Sequence, residues 1–137
     1  MAAFGAMTLG GAGRLRVLVA ADHPAVRERL RLLLGGEPDI ELVGVATDGP
    51  SAIRATQALV PDVLVLDHQL PVQDGAEVAT VLARRGFETR IVIYSADDRI
   101  HELALPPRVV RRIGKDGSFF SLLTAIRQAT AASAPAR

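Results

Sequence analysis

The sequence predicts an α/β domain built on a doubly wound parallel sheet, and three observations lead to that expectation. Short β-branched apolar runs recur along the chain, and segments with helical spacing separate them. The run over 63–66 shows no polar alternation, which is typical of a strand covered on both faces. It ends in Asp67, and a loop rich in Pro and Gly follows. Open α/β sheets carry their chemistry at the carboxyl ends of strands, so Asp67 is the first candidate functional residue.

The predicted elements alternate strictly between strand and helix. Strand one covers 16–20, and helix one covers 24–34 with Pro24 in its first turn and Gly35 at its end. The remaining strands are predicted over 40–46, 62–66, 90–94 and 108–113, and the remaining helices over 51–59, 76–85, 98–105 and 118–131. Right-handed crossovers then favour a flavodoxin-like sheet in the order 2-1-3-4-5. We expect one domain over 14–131, with disordered tails at 1–13 and 132–137.

Length and composition restrict the classes of function. The chain has 137 residues and a net charge of +1, so nothing electrostatic favours a nucleic-acid partner. The absence of Cys excludes a disulfide framework and a thiolate metal site. No apolar run reaches membrane-spanning length, and the first residues lack the pattern of a signal peptide. A soluble cytoplasmic protein is therefore expected.

Lys115 stands out in the composition, because it is the single Lys beside fifteen Arg. A compact ammonium and a planar guanidinium are not equivalent at a tight site. Lys115 is either a residue that Arg cannot replace or a chance survivor on the surface, and its count alone leaves both interpretations open.

Four polar residues follow strand ends that the predicted topology brings to one edge of the sheet. They are Asp22, Asp67, Ser95 and Lys115. Two neighbouring carboxylates repel unless a cation relieves them, and oxygen ligands without His or Cys suit Mg²⁺. A hydroxyl and an ammonium could bind phosphate oxygens beside that ion. The set has the equipment for phosphoryl transfer to a carboxylate.

In these residues the chain resembles a receiver domain of a bacterial two-component response regulator. The matching motifs cover roughly 14–130, and they are Asp22-His-Pro24, Pro61-Asp62, Asp67, Leu70-Pro71, Asp74-Gly75, Ser95-Ala96 and Lys115. The Asp-His-Pro opening and the Lys-Asp pair look most like receivers that usually carry a C-terminal helix-turn-helix. No such output domain is apparent in the sequence, so a single-domain receiver is expected.

The resemblance implies a role for each matching residue. Asp67 would accept the phosphoryl group, and Asp22, Asp67 and the backbone carbonyl of Gln69 would bind Mg²⁺. Ser95 corresponds to the switch hydroxyl and Lys115 to the phosphate-pairing lysine. The implied donor is a histidine kinase or phosphotransfer protein, and the implied output is binding to an unknown downstream protein, with a homodimer compatible with the family. Direct contact with nucleic acid or membrane is not expected. Nor is enzyme activity, apart from self-phosphorylation by small donors and self-dephosphorylation.

Three departures from the family pattern affect that expectation. Ala21 replaces one of the paired acids after strand one, which predicts weak magnesium binding. Arg112 replaces the aromatic residue three positions before the lysine. The segment from Ser95 to Lys115 is about two residues short and contains Pro106-Pro107, so helix four is expected to be truncated.

Other interpretations remain for the same residues. Asp22 could be the N-cap of helix one, because Asp before a Pro-initiated helix is a preferred cap. The three histidines, His23, His68 and His101, lack metal-ligand spacing and are interpreted as loop or surface residues. A pseudo-receiver would use this fold as a phosphorylation-independent binding module. A small phosphohydrolase is disfavoured, because Gln69 occupies the place of its usual second acid.

Overall fold

The computed structural model of the chain describes residues 13–114 and 119–133. The strands are β1 Leu15–Ala20, β2 Ile40–Ala46, β3 Val63–Asp67, β4 Arg90–Ser95 and β5 Val109–Gly114. The α-helices are α1 Pro24–Gly35, α2 Gly49–Leu59, α3 Gly75–Arg84 and α4 Phe119–Ser133. A 3₁₀-helix, Asp98–Glu102, connects β4 to β5. None of the helices in these ranges has the length and apolar character needed to cross a membrane.

The five strands form one parallel sheet in the order β2-β1-β3-β4-β5, which confirms the predicted fold class and topology. The apolar runs explain why the sheet is parallel and covered on both faces, because a strand with no face in contact with solvent needs no alternating polar residues. In the central pairings Ala20 lies beside Leu66, and Asp67 lies beside Tyr94. The carboxyl ends of β1, β3 and β4 therefore lie at one edge, as the prediction of a site there requires.

Side chains alternate between the two faces of the sheet and fill two cores. One core, built from residues such as Val19, Val65 and Ile126, lies against α1 and α4. The other, built from residues such as Leu66 and Ile93, lies against α2, α3 and the 3₁₀-helix. Both faces are covered, so the site is confined to the open edge and its loops.

Two element boundaries differ from the sequence prediction in ways that affect the site. The predicted helix over 98–105 is a 3₁₀-helix that ends at Glu102, so the expected truncation is confirmed. Helix α2 begins at Gly49 instead of Ser51, because Asp48 caps it in a reciprocal capping box with Ser51. Helix α4 continues to Ser133, two residues beyond the expected domain end, and 134–137 lie outside the described residues.

Candidate functional site

Asp67 is the last residue of β3, and only 2% of it is exposed. Its carboxylate Oδ1 accepts a hydrogen bond of 2.9 Å from the backbone N–H of Gln69. Strand alternation puts Asp67 on the face of Val63 and Val65, towards α1 and α4. The carboxylate is therefore fixed in orientation, and Asp67 lies at the carboxyl end of its strand, where the sequence predicted it.

The loop after Asp67 is closely packed onto two helix starts. The His68 N–H donates to the Tyr94 carbonyl at 2.9 Å, and the Gly75 N–H donates to the His68 carbonyl at 2.7 Å. A Cβ on Gly75 would lie 2.7 Å from the His68 Cα, and a Cβ on Gly49 would lie 2.6 Å from the Gln73 Cβ. Both glycines are required by close approach, which gives the Asp74-Gly75 motif a physical reason.

Asp22 is exposed and lies in the loop between β1 and α1. The N-cap of α1 is His23, whose side chain makes no capping bond. The interpretation of Asp22 as N-cap of helix one is therefore wrong: Pro24 sits at the helix start, and the cap moves one residue along the chain. The Arg27 guanidinium instead fixes the loop by donating to the backbone carbonyls of Ala21 and Asp22.

Ala21, the departure from the paired acids, is completely buried in the apolar core against α1 and α4. It follows Ala20, which pairs with Leu66, so the same register carries Ala21 alongside Asp67. In the described ranges no group of three or more His, Cys, Asp or Glu side chains is placed to hold a metal ion. Carboxylate and backbone carbonyl oxygens are nevertheless the donor type that a hard cation takes, with water and phosphate oxygens completing its shell.

Ser95 ends β4 and is 1% exposed. Its hydroxyl oxygen accepts a hydrogen bond of 3.0 Å from the backbone N–H of Asp97. Asp97 in turn caps the 3₁₀-helix by accepting from the Arg99 N–H. The Arg99 guanidinium hydrogen-bonds the same carboxylate, and with that backbone bond it lowers the pKa of Asp97 from 3.8 to about 2.

Tyr94 lies next to Asp67 across the β3–β4 pairing and is almost completely buried. Burial raises the pKa of the Tyr94 phenol, and the negative charge of Asp67 raises it further. The ring thus forms an apolar wall beside the acid and stays neutral at any physiological pH. Tyr94 is not among the residues that the sequence predicts for the site, although its position directly before Ser95 was a usable signal.

Arg112 lies on β5 and donates to the backbone carbonyls of Ile100 and His101, at 3.0 and 3.1 Å. The residue in the aromatic position thus binds the end of the 3₁₀-helix. Lys115, the predicted phosphate-pairing residue, lies outside the described residues.

A cavity of about 330 Å³ lies between the loop that follows Asp67 and the 3₁₀-helix. Its lining includes His68, Asp97, Arg99 and Leu103. His68 lies in the loop after β3, as expected, and is half-buried; its Nδ1 has no hydrogen-bond partner within 13–114 and 119–133. His23 and His101 are exposed, as expected.

Comparison with known proteins gives a consistent result. Residues 17–127 match the family described as response regulator receiver domain. The nitrate/nitrite response regulator protein NarL of Escherichia coli is 32% identical over 117 residues, which cover 84% of this chain and 54% of that protein. The signal receiver domain of the putative response regulator NarL from Mycobacterium tuberculosis is 31% identical, with a TM-score of 0.70 and coverage of 90% and 98%.

A third similar structure is the response regulator domain of Thermotoga maritima CheB. It is 30% identical, with a TM-score of 0.75, and the match covers 85% of this chain and 96% of that domain. The chain spans from 39% to 54% of the length of the NarL proteins it matches, so the resemblance concerns one part of those proteins.

Proposed function

This chain belongs to the family of response regulator receiver domains of two-component systems, and on that premise we propose that it accepts a phosphoryl group on Asp67. The observation that carries the proposal is the Asp67 carboxylate itself. It is buried at the end of β3, one oxygen is held by the Gln69 N–H, and the hydroxyl-bearing residue Ser95 ends the adjacent strand. A fixed, buried acid at the end of one strand, with a hydroxyl-bearing residue at the end of the next strand, is suited to accept a phosphoryl group.

The proposed donor is a phosphohistidine of a histidine kinase or phosphotransfer protein. An Asp67 oxygen would attack the phosphorus in line, and the P–N bond would break with its electron pair leaving on the imidazole. Asp22, Asp67 and the carbonyl of Gln69 would hold Mg²⁺, which when bound neutralises charge on the phosphoryl oxygens. Ser95 would donate a hydrogen bond from its hydroxyl to one phosphoryl oxygen, and Lys115 would pair with another.

The output of this step is proposed to be binding to a downstream protein. The phosphoryl group can act only through a difference in affinity between two conformations. Ser95 lies on the strand next to that of Asp67 and accepts the N–H of Asp97, the residue before the 3₁₀-helix. The helix is therefore the segment through which the difference would pass.

The direct test is incubation with acetyl phosphate or phosphoramidate and magnesium, followed by intact-mass measurement. We expect one phosphoryl adduct on the wild type and none on the Asp67→Asn variant. Asp62→Asn is the matched control, because Asp62 is an exposed acid just before β3, at the opposite end of that strand. An adduct that survives Asp67→Asn, or no adduct at all, would overturn the proposal.

A pseudo-receiver is the second candidate, and the burial of Ala21 in the apolar core favours it. Such a domain would bind its partner without a phosphoryl group. Fluorine NMR with beryllofluoride and magnesium discriminates the two functions, since a pseudo-receiver should give no bound-fluoride resonance. A bound resonance that disappears in Asp67→Asn would exclude the second candidate.

A further inference from the structure

The 3₁₀-helix between β4 and β5 is held at both ends by hydrogen bonds to the sheet. At its start, Ser95 accepts the Asp97 N–H at 3.0 Å. At its end, Arg112 donates to the Ile100 and His101 carbonyls. The side chain of Ile100 is buried in the core beneath the helix.

The chemistry of the two attachments differs. The last carbonyls of a helix lack partners within it, and a cation there is favourable, so a guanidinium with several donors makes a firm attachment. Ser95 offers only one neutral hydroxyl, and in the proposed function that hydroxyl also binds the phosphoryl group. The hydroxyl can accept from the Asp97 N–H while it donates to a phosphoryl oxygen, so turning it towards that oxygen would carry the start of the helix with it. The attachment at the end takes no part in binding the phosphoryl group.

We infer that Arg112 is the positioning residue that fixes the end of the 3₁₀-helix. Movement of Ser95 then displaces only the beginning of that helix. This inference rests on the proposed function. In place of the aromatic residue of the family pattern, the chain has a fixed point on β5 about which the short helix pivots. The segment that changes is then Asp97 to Arg99, at the rim of the cavity that His68 lines.

The first experiment tests the attachment without any ligand. The Ile100 N–H donates to the Asp97 carbonyl at 3.1 Å, so its hydrogen exchange reports opening of the first turn of the helix, and Arg112 holds the carbonyl of the same residue. We expect Arg112→Met to speed this exchange roughly tenfold or more, the effect of losing two hydrogen bonds with a charged donor. Arg112→Lys should restore part of the protection. Arg111→Met is the matched control on the same strand, because Arg111 is exposed. Equal Ile100 exchange in Arg112→Met and Arg111→Met would overturn the inference.

The second experiment adds beryllofluoride and magnesium and follows backbone amide shifts by NMR. In the wild type the changes should be largest at 97–99 and small at 100–102. In Arg112→Met they should spread to 100–105, which a purely structural role for Arg112 would not produce. Bound fluoride with the same pattern in both proteins would contradict the pivot. Absence of bound fluoride would instead count against phosphorylation of Asp67, and the ligand-free exchange would still decide whether Arg112 positions the helix.

Discussion

Replacement of Ala21 by Asp is the sharpest test of how the departure at this position affects the site. Ala21 is completely buried, and the register that pairs Ala20 with Leu66 carries it alongside Asp67. The new carboxylate would enter an apolar core next to an existing acid. We therefore expect Ala21→Asp to destabilise the protein when no divalent cation is present.

The size of this effect follows from the sheet geometry. Adjacent strands lie about 4.8 Å apart, so the two carboxylates would be separated by about 5 Å. At an effective dielectric constant of about 20 their repulsion is about 3 kcal/mol. Protonation of one acid would reduce the repulsion, and loss of hydration would add to the cost. Magnesium at about 100 times its dissociation constant would raise the free energy of unfolding of Ala21→Asp by about 2.7 kcal/mol, if it binds only the folded state.

Urea unfolding with chelator and with magnesium measures both quantities. Ala21→Asn is the matched control, because it has nearly the same shape without the charge, and its stability should not respond to magnesium more than that of the wild type. If Ala21→Asp is as stable as the wild type in chelator, position 21 does not face Asp67 as argued. If magnesium restores nothing to Ala21→Asp, the metal site is refuted.

Three further changes test the surrounding structure. Gly49→Ala should lower the free energy of unfolding in urea by about 1–3 kcal/mol, because the added Cβ meets the loop after β3. Gly35 has open space around it, so Gly35→Ala should leave that free energy unchanged. Equal effects of the two changes would contradict the packing. Val72 is 81% exposed and has a φ of 72°, a left-handed conformation that glycine adopts more easily. Val72→Gly should therefore stabilise the protein by less than about 1 kcal/mol in thermal melts, and a loss of stability would argue against backbone strain at this position. The pKa of Asp97 measured by NMR should be about 2 and should move towards 3.8 in Arg99→Gln. The contribution of this carboxylate to stability is full above pH 3.8 and is lost as the pH falls through about 2. An unchanged pKa in the variant would exclude Arg99 as the cause.

The sheet and the position of Asp67 were predictable because they depend on local patterns. The run over 63–66 is typical of a strand covered on both faces, and its end marks the open edge of the sheet. Boundaries that depend on tertiary contact were less predictable. Helix α2 was predicted to begin at Ser51, whereas Asp48 caps it and its first residue, Gly49, packs against a distant loop.

The role of Arg112 could not be predicted from spacing. It donates to carbonyls eleven and twelve residues earlier in the chain, across a connection whose path the sequence does not determine. The cap of α1 shows the opposite case, in which a local preference was a poor guide. Asp22 had the residue type that favours capping, yet His23 holds the position, which leaves the Asp22 carboxylate outside the helix start.

Ala21 and Arg112 affect different steps of the proposed function, and a double variant can separate them. Ala21 follows β1 and lies beside Asp67, whereas Arg112 lies on β5. From β1 to β5 there are three strand spacings, or about 14 Å. Sites at this distance without shared partners contribute additively within about 0.5 kcal/mol. Ala21→Asp combined with Arg112→Met should therefore show the magnesium response of the first change and the Ile100 exchange of the second, each unaltered. A magnesium response that depends on residue 112 would mean that the metal pocket and the 3₁₀-helix are coupled through Asp67 and Ser95 even without a phosphoryl group, and the separation of binding from readout would then be wrong.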